Sequence, residues 1–138
     1  KKIQKKGFAS IEELRIFSDW KSPRIRKHIL SNENRIISEV TKDVLRSKSE
    51  YVHIGALLLL KGVSYPVASA FLHFCHKTKY PIIDYRALWT LGYDETPKYH
   101  VNFWISYVNF TRKLANKNNL DMRTLDRALW GYSKKYQD

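Results

Sequence analysis

Asp84 follows Tyr80-Pro81-Ile82-Ile83 and precedes the helically spaced apolar residues Ala87, Leu88 and Leu91, so a carboxylate stands at a helix start. There it can accept backbone N–H groups that have no partner inside the helix, and taken alone Asp84 reads as that cap. Arg86 is close enough in sequence to be its ion-pair partner. His73, Cys75 and His76 form a second group with reactive side chains, but they come from one helix and no further ligand follows at an evident metal-binding spacing. Packing or solvent exposure is therefore expected for them, and no metal site. Cys75 is the only cysteine, which excludes an intrachain disulfide and any four-cysteine metal or iron–sulfur cluster. No Gly-Lys-Ser/Thr phosphate loop, dinucleotide glycine fingerprint or His-Glu-x-x-His motif is present.

Charge supplies the next constraint. Of 138 residues, 25 are Lys or Arg and 13 are Asp or Glu, a formal net charge of +12 distributed along the chain. That surplus exceeds what solubility requires and points to a polyanionic partner. The sequence is 43% hydrophobic with 14% aromatic residues, enough apolar surface to disfavour disorder and to build one compact domain over 1–138. Its longest apolar run, around Ile54 to Leu60, stops at Lys61, short of the roughly 20 residues of a membrane span. A soluble monomer, cytoplasmic or nucleoid-associated, is expected. Residues 1–9, with four lysines and neither Met nor an apolar signal core, read as a basic arm or a truncated boundary.

Apolar positions recur at helical spacing almost throughout, so an all-α fold is predicted. Ser10-Ile11-Glu12-Glu13 has the form of a capping box ahead of Leu14, Phe17 and Trp20. Ser22-Pro23 opens a second helix, and Asn32 can cap a third that carries Ile36, Ile37, Val40, Val44 and Leu45 on one stripe. A Leu-rich helix from about Glu50 to Leu60 meets another opened by Pro66. Asp84 caps a later helix and Asp121 or its neighbours cap the last, with a long one bearing Trp104, Tyr107, Val108, Thr111 and Leu114 between them. Trp20, Trp89, Trp104 and Trp130 each fall on an apolar helical side and are expected in the core, whereas Tyr65, Tyr93 and Tyr99 fall in turns or loops and are better placed to touch a ligand. Arg-Ala-Leu-Trp occurs at Arg86 to Trp89 and again at Arg127 to Trp130, without a repeat in the flanking sequence.

The most specific stretch is Leu60-Lys61-Gly62-Val63-Ser64-Tyr65-Pro66-Val67-Ala68. It resembles a helix-hairpin-helix motif, with Gly62 and Val63 matching, Ser64 in place of the second glycine, and Ala68 at the small position between the hairpin helices. If Ser64 had to adopt a left-handed conformation, it would cost about 1 kcal/mol that glycine would not. Together with the loop Tyr80-Pro81-Ile82-Ile83-Asp84, and with the interval from Gly62 to Asp84, the segment from about Tyr51 to Gly92 is similar to the helix-hairpin-helix DNA glycosylase superfamily. Outside it the resemblance extends only to helical character.

What the resemblance implies is residue-specific. Leu60, Lys61, Gly62, Val63, Ser64 and Tyr65 would grip DNA phosphates through backbone N–H groups, with a monovalent cation at the turn as a further implication. Asp84 would be the catalytic carboxylate, stabilising positive charge on the sugar as an N-glycosidic bond breaks. Bifunctional relatives place a Schiff-base lysine where this sequence has Pro66, so a lyase of that type is excluded while hydrolysis is not. About fifty residues precede the hairpin, which fits either a minimal member or one that keeps the grip and has lost the chemistry. The expected function is a DNA-binding protein that holds duplex or damaged DNA through phosphates, with or without base excision. The alternative is a non-catalytic helical interaction module for an acidic protein partner.

Overall fold

A computed structural model describes residues 2–137. Among the described residues every regular element is helical and none is a strand, as the spacing predicted. The helices fall into two compact units, Lys1–Thr78 and Lys79–Asp138.

The first unit opens with α1 (Lys2–Lys6), so the sequence expected as a basic arm is helical over those five residues, and Gly7 to Ala9 lead on to α2 without regular structure. Lys1, the first residue of that arm, lies outside the described residues. Buried Ile3 holds α1 down, and Lys6 reaches Glu13 at 2.5 Å. α2 (Ile11–Lys21) begins at the predicted capping box: Ser10 Oγ accepts Glu13 N–H, and the Glu13 carboxylate accepts Ser10 N–H. Beside burial, which opposes it, the bonds from Lys6 and Ser10 hold the Glu13 carboxyl below its ordinary pKa. Pro23 opens a single 3₁₀ turn, Pro23–Ile25, which runs into α3 (Arg26–Leu30). α4 (Asn34–Arg46), α5 (Glu50–Leu58) and α6 (Tyr65–Cys75) complete the unit.

α2 packs on α3, α4 and α6, and α5 packs on α4 and α6. Leu14, Ile29, Ile37, Val44, Ile54, Leu57, Val67 and Phe71 are fully buried between them. Each such side chain contributes on the order of 1.5–3 kcal/mol relative to exposure. Thr41, a polar residue within this core, is satisfied: its hydroxyl donates to Ile37 O at 2.8 Å and accepts Ala9 N–H at 2.8 Å, tying the entry to α2 onto α4.

The second unit contains α7 (Tyr85–Thr90), α8 (Val101–Lys117) and α9 (Met122–Tyr136), with α9 packed on both of the others. Asp121 caps α9 as predicted, accepting Thr124 N–H at 2.7 Å. α7 closes in a Schellman arrangement around Gly92 at φ 110°, in which Tyr93 N–H bonds Leu88 O and Gly92 N–H bonds Trp89 O. Tyr80, Pro81, Ile82 and Ile83 lead into α7 as a buried segment with no helical bonds of its own, so its polar groups need outside partners. Asp126 of α9 accepts Ile82 N–H at 3.3 Å, and the Tyr107 hydroxyl of α8 donates to Ile82 O at 3.0 Å. Tyr80 stacks on buried Trp104 with ring centroids 5.4 Å apart, and Arg112 donates to Lys79 O at 2.9 Å. This bracing fixes the strand-like segment that delivers Asp84.

Only part of the tryptophan expectation survives. Trp104 is buried and Trp89 is half-buried, but Trp20, which meets Phe74 of α6 edge-on, is 54% exposed, and Trp130, which has the Arg86 guanidinium over its ring, is 43% exposed.

Candidate nucleic-acid interface

Within the first unit, Leu59 to Ser64 join α5 to α6. Leu60 N–H donates to Leu57 O at 3.1 Å and Val63 N–H to Leu60 O at 3.2 Å, which tightens the turn. Lys61 is clamped through its backbone. Its N–H donates to Asn32 Oδ1 at 2.9 Å, and its carbonyl accepts Asn32 Nδ2 at 3.0 Å. Asn32 Nδ2 also donates to Ile29 O at 2.9 Å. Sequence reasoning assigned Asn32 to capping α4, yet Glu33 is the N-cap residue there and makes no side-chain cap bond. The reason is geometric: one carboxamide satisfies both backbone groups of a turn residue 29 positions away, and no local pattern announces that partnership.

The six residues expected to grip phosphate are not equivalent. Leu60 and Val63 bury their side chains in the core, while Lys61 and Ser64 are exposed and Gly62 and Tyr65 are intermediate. Three of the turn's N–H groups are consumed internally, at Leu60, Lys61 and Val63. The N–H groups of Gly62 and Ser64 have no protein partner among the described residues. Ser64 sits at φ −100°, ψ 175°, ordinary extended backbone, so the left-handed cost considered for it does not arise. Gly62 is the left-handed residue, at φ 82°. A Cβ there would lie 2.9 Å from His28 Cβ and 3.1 Å from Ile29 N, so its missing side chain makes room for α3. Close approach is the expected use of this glycine, and the structure shows it toward the protein's own helix.

The surroundings of the turn are basic. Lys61 is exposed, as are Lys27 and His28 of α3, the helix that packs against Gly62, and neither lysine forms an ion pair among the described residues. By contrast, Arg15 and Arg26 converge on Asp19 at 2.6 and 2.9 Å and hold its carboxyl below the ordinary range. Two turn carbonyls, Leu60 O and Lys61 O, already accept N–H bonds, and a cation at the turn would have to share them. No group of three or more His, Cys, Asp or Glu side chains is arranged to hold a metal among the described residues.

In the second unit Asp84 is a buried N-cap whose Oδ1 accepts Ala87 N–H at 2.9 Å. The expected Arg86 ion pair is replaced: the Arg86 guanidinium lies over the Tyr85 and Trp130 rings at 5.2 and 5.3 Å, and Nη1 donates to Ser133 Oγ at 3.4 Å. Tyr99 and Tyr107 are nearby titratable groups: the Tyr99 phenol is pushed up to about 12 by burial and then by the Asp84 carboxylate, and Tyr107 is raised by burial first. Tyr93 is exposed and packs edge-on against Phe103 at 5.8 Å. With Leu91, Ser106, Tyr107 and Phe110 these rings line an apolar hollow of about 410 Å³.

His76 is buried against His53, with ring centroids 4.1 Å apart. Burial first, then His53, brings its pKa down to about 4. Burial likewise pushes the Cys75 thiol up to about 12, leaving it neutral and inert. These groups pack, as the sequence suggested, and the His53–His76 pairing is the part sequence could not supply. No known protein family, curated protein or solved structure matches the chain.

Proposed function

We propose that the chain binds DNA through its phosphates, with the α5–α6 turn as the grip. The observation that carries this reading is a pair of unpartnered N–H groups, at Gly62 and Ser64, beside the exposed Lys61 ammonium in a protein of net charge +12. Backbone donors at a helix start bind a phosphate oxygen without reading sequence, and the ammonium adds a screened attraction. Lys27 is a further exposed lysine on α3, the helix that packs against Gly62.

The test is anisotropy of a labelled duplex across a salt series, with Lys61→Glu compared against the native chain. Phosphate contacts predict a log–log slope of about −0.9 per contact, reduced by about one contact in the variant. Absence of binding at low salt would refute the reading and favour an acidic protein partner.

Base excision assisted by Asp84 is the catalytic extension. Its support is a buried carboxylate held on the Ala87 N–H at the head of a helix, following a braced Pro-containing segment. Asp84→Asn keeps an equally good cap. Loss of excision with binding retained would support the extension; excision unchanged in that variant would remove Asp84 from catalysis.

A further inference from the structure

Outside the hairpin, α7 and α9 carry an unusual density of exposed rings. Tyr85 is 53% exposed, Trp130 43%, Tyr132 51% and Tyr136 55%. Isolated exposed aromatics are ordinary, but here they are organised by cations. The Arg86 guanidinium lies over both Tyr85 and Trp130, and its bond to Ser133 Oγ fixes its position. On the other flank of α7, Trp89 stacks with Tyr132 at 6.1 Å and 29°, Tyr132 meets Tyr136 at 4.6 Å, and Lys135 lies over Tyr136 at 5.3 Å. Arg127 and Lys134 are exposed on the same helix and form no ion pair among the described residues.

Rings held by neighbouring rings and guanidinium lose little rotamer freedom when a ligand arrives. Their flat faces favour a planar apolar group, and the alternating cations favour a negative charge next to it. Stacked bases joined by phosphates meet both requirements, whereas the bases inside a duplex have their faces covered. We propose that the Tyr85–Arg86–Trp130 cluster of α7 and α9 stacks unpaired nucleobases, forming a single-strand contact distinct from the hairpin grip. The choice of a nucleic acid as the polyanion rests on the function proposed above; the preference for unpaired bases comes from the aromatic geometry.

The experiment titrates a short labelled oligothymidylate, and separately a duplex, into the full chain and into Trp130→Ala, Tyr85→Ala and Lys61→Glu, each checked for native circular dichroism. Trp130→Ala and Tyr85→Ala should each weaken oligothymidylate binding by about 5- to 150-fold, the range for loss of one base–aromatic stack. The salt slope should change little, because stacking releases no counterions. Lys61→Glu, read against the duplex, reports on the hairpin. If both ring variants bind oligothymidylate as well as the native chain, or if polyglutamate competes equally with it, stacking is refuted. Duplex binding without any single-strand binding would overturn this inference and leave the hairpin reading standing, while binding to neither would overturn both.

Discussion

Replacing Gly62 with alanine should destabilise the first unit strongly, and the size of the effect follows from two separate costs. An L-residue held at φ 82° pays about 1–2 kcal/mol in backbone strain. The added methyl must then fit where His28 Cβ and Ile29 N stand within 2.9 and 3.1 Å. Neither neighbour is the free end of a flexible chain, and Ile29 is fully buried, so relief requires α3 to move. Overpacking of this kind typically costs about 1–3 kcal/mol. The sum, about 2–5 kcal/mol, is a large share of a typical domain's stability and corresponds to a fall of at least about 8 °C in Tm for a unit of this size. Thermal unfolding followed by circular dichroism measures it. Gly55→Ala is the matched control: Gly55 is exposed, has open space around its Cβ position and lies within helical α5, where alanine should stabilise by about 0.5–1 kcal/mol. Equal stability of Gly62→Ala and the native chain, or equal losses at both glycines, would refute the reasoning. The consequence for function is practical: a Gly62 variant reports on the packing of α3, and the test of phosphate contact belongs to Lys61.

Asn32→Asp should lose about 1–3 kcal/mol in urea unfolding, since a carboxylate keeps the bond from Lys61 N–H but faces the Ile29 and Lys61 carbonyls without donors; native stability would show that the clamp contributes nothing. Asp84→Ala should cost about 0.5–2 kcal/mol through the lost cap, with Asp84→Asn close to native, and equal losses in the two variants would mean that the carboxylate's charge, and not the cap bond, is what matters to stability. Cys75 should resist a thiol reagent at neutral pH until the chain unfolds, because the thiol is buried and pushed up to about 12; prompt labelling of the folded chain would contradict its placement. For His76 the folded pKa, about 4, lies below the unfolded 6.5, so the unfolded state takes up the proton first. Stability is intact above pH 6.5 and falls by as much as about 3 kcal/mol as pH drops toward 4. His76→Phe should flatten that limb in denaturant titrations, and an unchanged limb would assign the acid loss to other groups.

What could be read from sequence was what depends on near neighbours. The cap at Ser10 needs only Glu13, the cap at Asp84 needs only the Ala87 N–H, and Pro66 marks a helix start through its own ring. Helical spacing likewise finds Ile37 and Val44 of the buried stripe on α4, whereas Thr41, buried between them, carries a hydroxyl that an apolar pattern passes over. Spacing does not say whether a second element covers a stripe, and for that reason Trp104 and Trp130 look alike in sequence although one is buried and the other exposed. The partners of Asn32 and Gly62 are hidden for a related cause. Asn32 acts on a turn 29 residues away, and Gly62 is shaped by α3, so each position's role is set by a surface that local pattern never describes. The same blindness applies to Arg86. Its sequence neighbour Asp84 suggests an ion pair, but a planar guanidinium between two rings keeps its charge solvated at one edge while covering apolar area. The candidate hairpin was therefore visible as a motif before its neighbours were known, whereas the aromatic face of α7 and α9 exists only once the two helices are packed together.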